Sequence, residues 1–233
     1  MITPTKQRRL SSRRRGFKLT LYEAGFANVF TELTSGPRQI GFALLLGARD
    51  LQVGMLSALP HLANLSQLTA SFLLERTGKR KALTLVTSGL SRLLWVAIIL
   101  LPLSLFSSFS DSRSWAMVAI VALSAFFIAM NNTVWLSWLG DLIPPRLRGR
   151  YFGRRNMVIA AVGMTVPLAG SAFIDTWQSW FHPQAPGGFL IVFSVGIICG
   201  LAALVVQWRM PEMPLVPRQG APFLALRHHL GRV

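Results

Sequence analysis

The stretch GFLIVFSVGIICGLAALVVQW, Gly188–Trp208, runs for 21 residues without a charge. A helix rises about 1.5 Å per residue, so roughly 20 apolar residues cross the ~30 Å hydrocarbon core of a bilayer. Five more windows of this kind lie upstream: about Leu21 to Leu46, Leu51 to Leu74, Ala82 to about Leu105, Ser114 to about Leu139, and Met157 to Ile174. The second, fourth, fifth and sixth windows carry no charge; the first carries Glu32 and Arg38 in its interior, and the third Arg92. A β-barrel needs alternating strands of about ten residues, and these continuous runs do not alternate. The expectation is an all-α, polytopic membrane protein with six transmembrane helices.

Composition agrees. Of 233 residues, 52% are apolar and 14% charged, well below the roughly 25% charged content of soluble domains. The 24 Lys+Arg against 8 Asp+Glu leave a net charge of +16, which alone would fit a nucleic-acid binder. The basic residues instead punctuate the apolar windows and line no single face, so no nucleic-acid partner is expected. A lone Cys199 supports neither a disulfide framework nor a cysteine zinc site, and no cofactor or metal is expected. The basic residues of the first 20 positions lead directly into a window of full spanning length, which is not the pattern of a cleaved leader.

Orientation follows from Lys and Arg in the short flanking loops. Seven lie before the first window, four after the second, five after the fourth and four after the sixth. The opposite loops hold two, Arg49 and Arg113. Both termini are therefore expected in the cytoplasm, with the protein in the plasma (inner) membrane. The organisation reads as a basic segment 1–20, a helical bundle 21–208, and a Pro- and Arg-containing tail 209–233.

Polar residues inside spans must face protein or water. In span two, His61, Asn64, Gln67 and Ser71 form one helical stripe; span three offers Thr84, Ser88, Ser91, Arg92 and Trp95; span four offers Ser124, Asn131 and Trp135. Helix–helix hydrogen bonding explains such stripes as readily as solute binding does. Spans five and six carry small-residue stripes, including Gly196 and Gly200, which fit close backbone packing. Span one is interrupted by Ser35-Gly36-Pro37, flanked by Glu32 and Arg38. A broken helix beside intramembrane charge is the pattern of a transporter's midplane site. A plain Pro kink, with Glu32 paired to Arg38 or Arg92, is the simpler alternative.

Two loops are more specific. Ser71-Phe-Leu-Leu-Glu75-Arg76-Thr-Gly78-Lys79-Arg80-Lys81 joins spans two and three, and Asp141-Leu-Ile-Pro144-Pro145-Arg146-Leu-Arg148-Gly149-Arg150 follows span four. Gly78 permits a tight turn, and Arg76 and Arg80 lie where they could bond Asp141. The first loop resembles the G-x-L-x-D-R-x-G-R-[RK] signature of the major facilitator superfamily, with Ser71 for the first glycine and Glu75 for the aspartate. The second resembles the acidic-x-x-Pro…Arg-Gly-Arg segment of the same superfamily, and the resemblance extends over residues 20 to 210. It implies that Glu75, Arg76 and Asp141, with Gly78, Lys79, Arg80, Arg148, Gly149 and Arg150, form a cytoplasmic gate that holds the outward-facing state. Topology enforcement and anionic lipid headgroups are the competing explanation, preferred for Lys81, Arg154 and Arg155.

The superfamily normally has twelve spans in two six-helix halves. The resemblance implies that spans one to three and four to six form a 3+3 inverted repeat, and that this chain is the amino-terminal half or a truncated product. The prolines of 209–233 resemble the linker between halves. Span four lacks the intramembrane Arg of many proton-coupled members, and Gly163…Pro167…Gly170 resembles the antiporter motif only in part.

The expected function is a secondary-active transporter working by alternating access on a small-molecule solute, within the lipid bilayer, against a second six-helix half or a homodimer partner. Candidate path residues are Asn28, Glu32, Arg38, Asn64, Gln67, Arg92, Asn131 and Trp135, with Glu32 as the carrier of a coupling proton. Arg38 and Arg92 outnumber Glu32, which tilts the expectation toward an anionic solute. The alternative is a non-transporting accessory or relic protein that packs against another integral protein. An enzyme is not expected, since no G-x-S-x-G, H-E-x-x-H or paired intramembrane Asp is present.

Overall fold

The computed structural model describes the backbone of residues 4–102, 110–143, 145–181 and 185–210, and their side chains except at 4–17, 110, 111, 141 and 145. The basic segment before Lys18, the loop holding His182 and the tail beyond Met210 lie outside the described side chains.

Among the described residues every regular element is a helix: α1 Pro4–Thr34, α2 Pro37–Leu45, α3 Asp50–Ala63, α4 Ser66–Thr77, α5 Arg80–Leu100, α6 Ser110–Leu142, α7 Arg148–Trp180 and α8 Gly187–Trp208, with a 3-10 turn at Pro145–Leu147. Four are long and apolar enough to cross a membrane, and they correspond to the third to sixth windows. The first two windows emerge as interrupted helices. Span one breaks at Ser35-Gly36, where Gly36 takes φ 68° and Pro37 starts α2. That positive φ suits glycine, and a proline at the first helical turn loses no intrahelical bond. Span two has a milder interruption. Asn64 and Leu65 keep helical angles, but their amides bond His61 and Leu62, three residues back. Gln67 and Leu68 likewise bond Asn64 and Leu65, so 3-10 bonding runs through the junction, which begins four residues after Pro60 inside α3.

The packing is set by who is apolar and small on each face. Helix α8 lies against α1 and α5, α6 against α5 and the α3–α4 pair, and α7 chiefly against α1. Gly196 and Gly200 let α1 approach α8: a Cβ at Gly200 would lie 3.0 Å from the Phe30 ring, and one at Gly196 3.2 Å from Leu33. The core there is aromatic, with Phe193 edge-on to Phe42 at 5.2 Å and to Trp95 at 5.3 Å. Helix α7 is different. Only 11% of its most apolar window is buried, against 39% in α5, α6 and α8.

Candidate functional site

Helix α1 turns Glu23, Ala27 and Thr31 along one side, four residues apart, toward a pocket of about 150 Å³ bounded by α5, α6 and α7. Of the eight path candidates, Asn28, Arg92, Asn131 and Trp135 line it. Each is positioned by a neighbouring helix. Asn28 Nδ2 donates to the Ile159 carbonyl of α7 (3.1 Å), and Thr87 of α5 donates to Asn131 Oδ1 (3.4 Å). Arg92 is the most constrained: its Nε donates to the Gly200 carbonyl and one Nη to the Ser88 carbonyl, both at 2.6 Å. Its guanidinium also sits 5.3 Å from the centroid of the Phe30 ring, a favourable cation–π placement.

Three pocket or near-pocket residues escaped the sequence reading. Glu23 is 3% exposed and accepts from Gln207 Nε2 at 2.9 Å, while Gln207 accepts from Ser88 at 3.0 Å. This chain ties α1, α8 and α5 together through buried polar groups. Arg155 of α7 also lines the pocket, and the fields of Arg155 and Arg92 both reach the Glu23 carboxylate. The signal for Glu23 was present: it is an acidic residue nine positions before Glu32, inside the first window. Arg155 was assigned to topology because span five was started at Met157. The helix starts at Arg148, and this places Arg155 within α7 and against the bundle.

The other candidates sit elsewhere. Glu32 is half-buried against α7, its Oε1 3.5 Å from where a Cβ on Gly163 would lie. Arg38 is buried in the break of span one, where it donates to the carbonyls of Glu32, Ser35 (3.5 Å) and Pro167 (3.2 Å) and to Ser171 Oγ (3.4 Å). It thereby satisfies carbonyls that the α1–α2 interruption leaves open. Asn64 and Gln67 are exposed on the α3–α4 pair, hydrogen-bonded to each other at 3.3 Å and outside the pocket.

At the proposed gate, Gly78 takes φ 65° as the left-handed cap of α4. Glu75, Arg76, Lys79, Gly149 and Arg150 are exposed and Arg80 is buried. Arg148 donates to the Gly140 carbonyl (2.9 Å) and the Ile143 carbonyl (3.4 Å), a cation at the end of α6 where the helix dipole favours it. The side chain of Asp141 lies outside the described residues, and so does any bond it makes with Arg76 or Arg80. Lys81, assigned to lipid headgroups from sequence, donates instead to the Met210 carbonyl at 3.0 Å and closes the end of α8.

No group of three His, Cys, Asp or Glu that could hold a metal occurs among the described residues. The arrangement offers carboxylate, guanidinium, amide and indole groups around a small void, which suits reversible binding. Residues 16–232 match the family model described as Major Facilitator Superfamily. No curated protein and no solved structure matches the chain.

Proposed function

Since this chain belongs to the Major Facilitator Superfamily, a family of membrane transporters for small-molecule solutes, we propose that it works by alternating access, as one six-helix bundle rocking against a second. The observation that carries this reading is the polar pocket between α1, α5, α6 and α7, beside a helix, α7, that is left largely uncovered. The second bundle, whether another half or another copy, would cover α7 and face the polar stripe of α3–α4 across a water-filled path.

The packing pattern supports a 3+3 inverted repeat. Exchanging spans one, two and three for four, five and six turns the α1–α8 pairing into α6–α5, and the α1–α7 pairing into α6 against α3–α4. The α5–α8 pairing maps onto itself, and all of these pairings occur. Both termini would be cytoplasmic, in the plasma (inner) membrane, which puts the pocket in the cytoplasmic half of the bundle. Asn28, Arg92, Asn131 and Trp135 would contact solute directly. Asn64 and Gln67 would face the second bundle, Arg38 would brace the broken helix, and Glu32 would carry the coupling proton. Glu75, Arg76, Arg80 and Asp141 would latch the cytoplasmic side.

The test is a proteoliposome uptake screen of the chain alone and joined to a second six-helix bundle. Uptake driven by an ion gradient is expected in the joined form. No uptake of any solute in either form would leave only a non-transporting role in a membrane complex. Proton-dependent uptake that persists in Glu32→Gln would remove the coupling role from Glu32.

A further inference from the structure

We infer that the pocket between α1, α5, α6 and α7 takes a small organic monoanion, with Arg155 and the Trp135 indole as its donors and Glu23 as the group that limits its charge. The inference rests on the transporter reading for its biological meaning, but binding can be measured without transport.

The first observation is a set of unmet polar atoms. Glu23 Oε2, Trp135 Nε1 and Arg155 Nε are all buried without a hydrogen-bond partner, and all three side chains line this pocket. Glu23 and Trp135 are 3% and 5% exposed. A buried donor without a partner is costly, and two of them beside one void, Trp135 Nε1 and Arg155 Nε, point to a ligand that accepts hydrogen bonds; Glu23 Oε2 is itself an acceptor, which an anion does not complete and which limits the ligand's charge.

The second observation is charge. Two guanidiniums and one carboxylate line the pocket. Arg92 is already engaged by two carbonyls and the Phe30 ring, and Glu23 is held by Gln207. The count leaves one positive charge in excess, and Arg155 is the guanidinium whose Nε has no hydrogen-bond partner. Unbalanced charge in a low-dielectric bundle is expensive, so one added negative charge brings the pocket to neutrality. A cation would join two guanidiniums, and a neutral solute would leave the surplus in place. A dianion would carry its second charge against Glu23. Size agrees, since about 150 Å³ is small beside the roughly 300–1,000 Å³ of pockets for drug-sized ligands.

The experiment follows the thermal unfolding midpoint of the purified full chain in nanodiscs. The probes are formate, acetate and benzoate, their amides formamide, acetamide and benzamide, and the dianion phthalate. At least one monocarboxylate should raise the midpoint where its amide does not, because a ligand that binds only the folded state stabilises it. Arg155→Gln should weaken that carboxylate at least about tenfold, while Arg154→Gln, altering an exposed neighbour, should leave it unchanged. Glu23→Gln should admit phthalate. Stabilisation by amides equal to that by carboxylates, no response to any carboxylate, or an unchanged affinity in Arg155→Gln would each overturn the inference. Should Arg155→Gln fail to fold, Trp135→Phe removes the indole donor and keeps an aromatic ring in its place. It is expected to weaken the carboxylate several-fold, and an unchanged affinity there overturns the inference equally. Uptake separates the two readings: carboxylate binding without uptake removes the transport reading alone, and uptake confined to neutral or cationic solutes removes this inference alone.

Discussion

Helices α8 and α7 are both long and apolar, yet they are used in opposite ways. Helix α8 is threaded between α1 and α5, with Phe193 fully buried, Gly200 under Phe30, and Gln207 bonded between Glu23 and Ser88. Helix α7 meets chiefly α1 and leaves Met157, Met164 and Leu168 each more than 70% exposed. Lipid tails are as apolar as leucine, so exposure of such residues costs little in a bilayer. What distinguishes the two is where the polar groups go. On the α8 side Gln207, Ser88 and Arg92 are hydrogen-bonded within the bundle, whereas Arg155 on α7 lines the pocket and the Asn64–Gln67 stripe on α3–α4 is exposed. The first region holds the bundle together, and the second is the one that the proposed function assigns to a partner and a solute.

Mutations can break or sharpen this contrast, read as unfolding free energy in detergent. The largest loss is expected from Phe193→Ala, about 4 kcal/mol, because it empties the aromatic core between α2, α5 and α8. Arg92→Leu should cost about 3 kcal/mol, since the Gly200 carbonyl loses a charge-assisted bond and Glu23 loses a compensating field. Gly200→Ala should cost about 2 kcal/mol, because its Cβ would press on Phe30 and Arg92 at 3.0 and 3.1 Å. Met164→Ala on α7 should stay within about 0.5 kcal/mol. A loss at Met164 as large as that at Phe193 would show that α7 is packed in the isolated chain after all.

How legible this was depended on how strongly each feature departs from a plain apolar run. The spans that became α5 to α8 stood out because each is a long apolar run that stays helical, even across Pro167 in α7. The break at Gly36 was also readable, as glycine and proline each fail in a helix for a local reason. The 3-10 turn at Asn64–Leu65 was not read, although Pro60 lies only four residues upstream. Glu23 was overlooked because it follows seven basic residues and sits close to the edge of its window. Its role depends on Gln207, 184 positions away, and no local pattern reports that. Arg155 looked like a topology marker, because the extra turns of α7 below Met157 are not apolar enough to be counted as span.

The central claim is that the α3–α4 stripe and the pocket mouth meet water, while other faces of similar exposure meet lipid. Cysteines placed at Gln67, Asn132 and Leu93, one at a time with Cys199 replaced by Ser, test it most directly. All three positions are exposed in the bundle, Leu93 at 62%. A thiol reacts as its thiolate, which forms in water and not in hydrocarbon. In native membranes, a water-soluble maleimide should label Gln67→Cys and Asn132→Cys and spare Leu93→Cys. Equal labelling of all three, or protection of all three, would contradict the account.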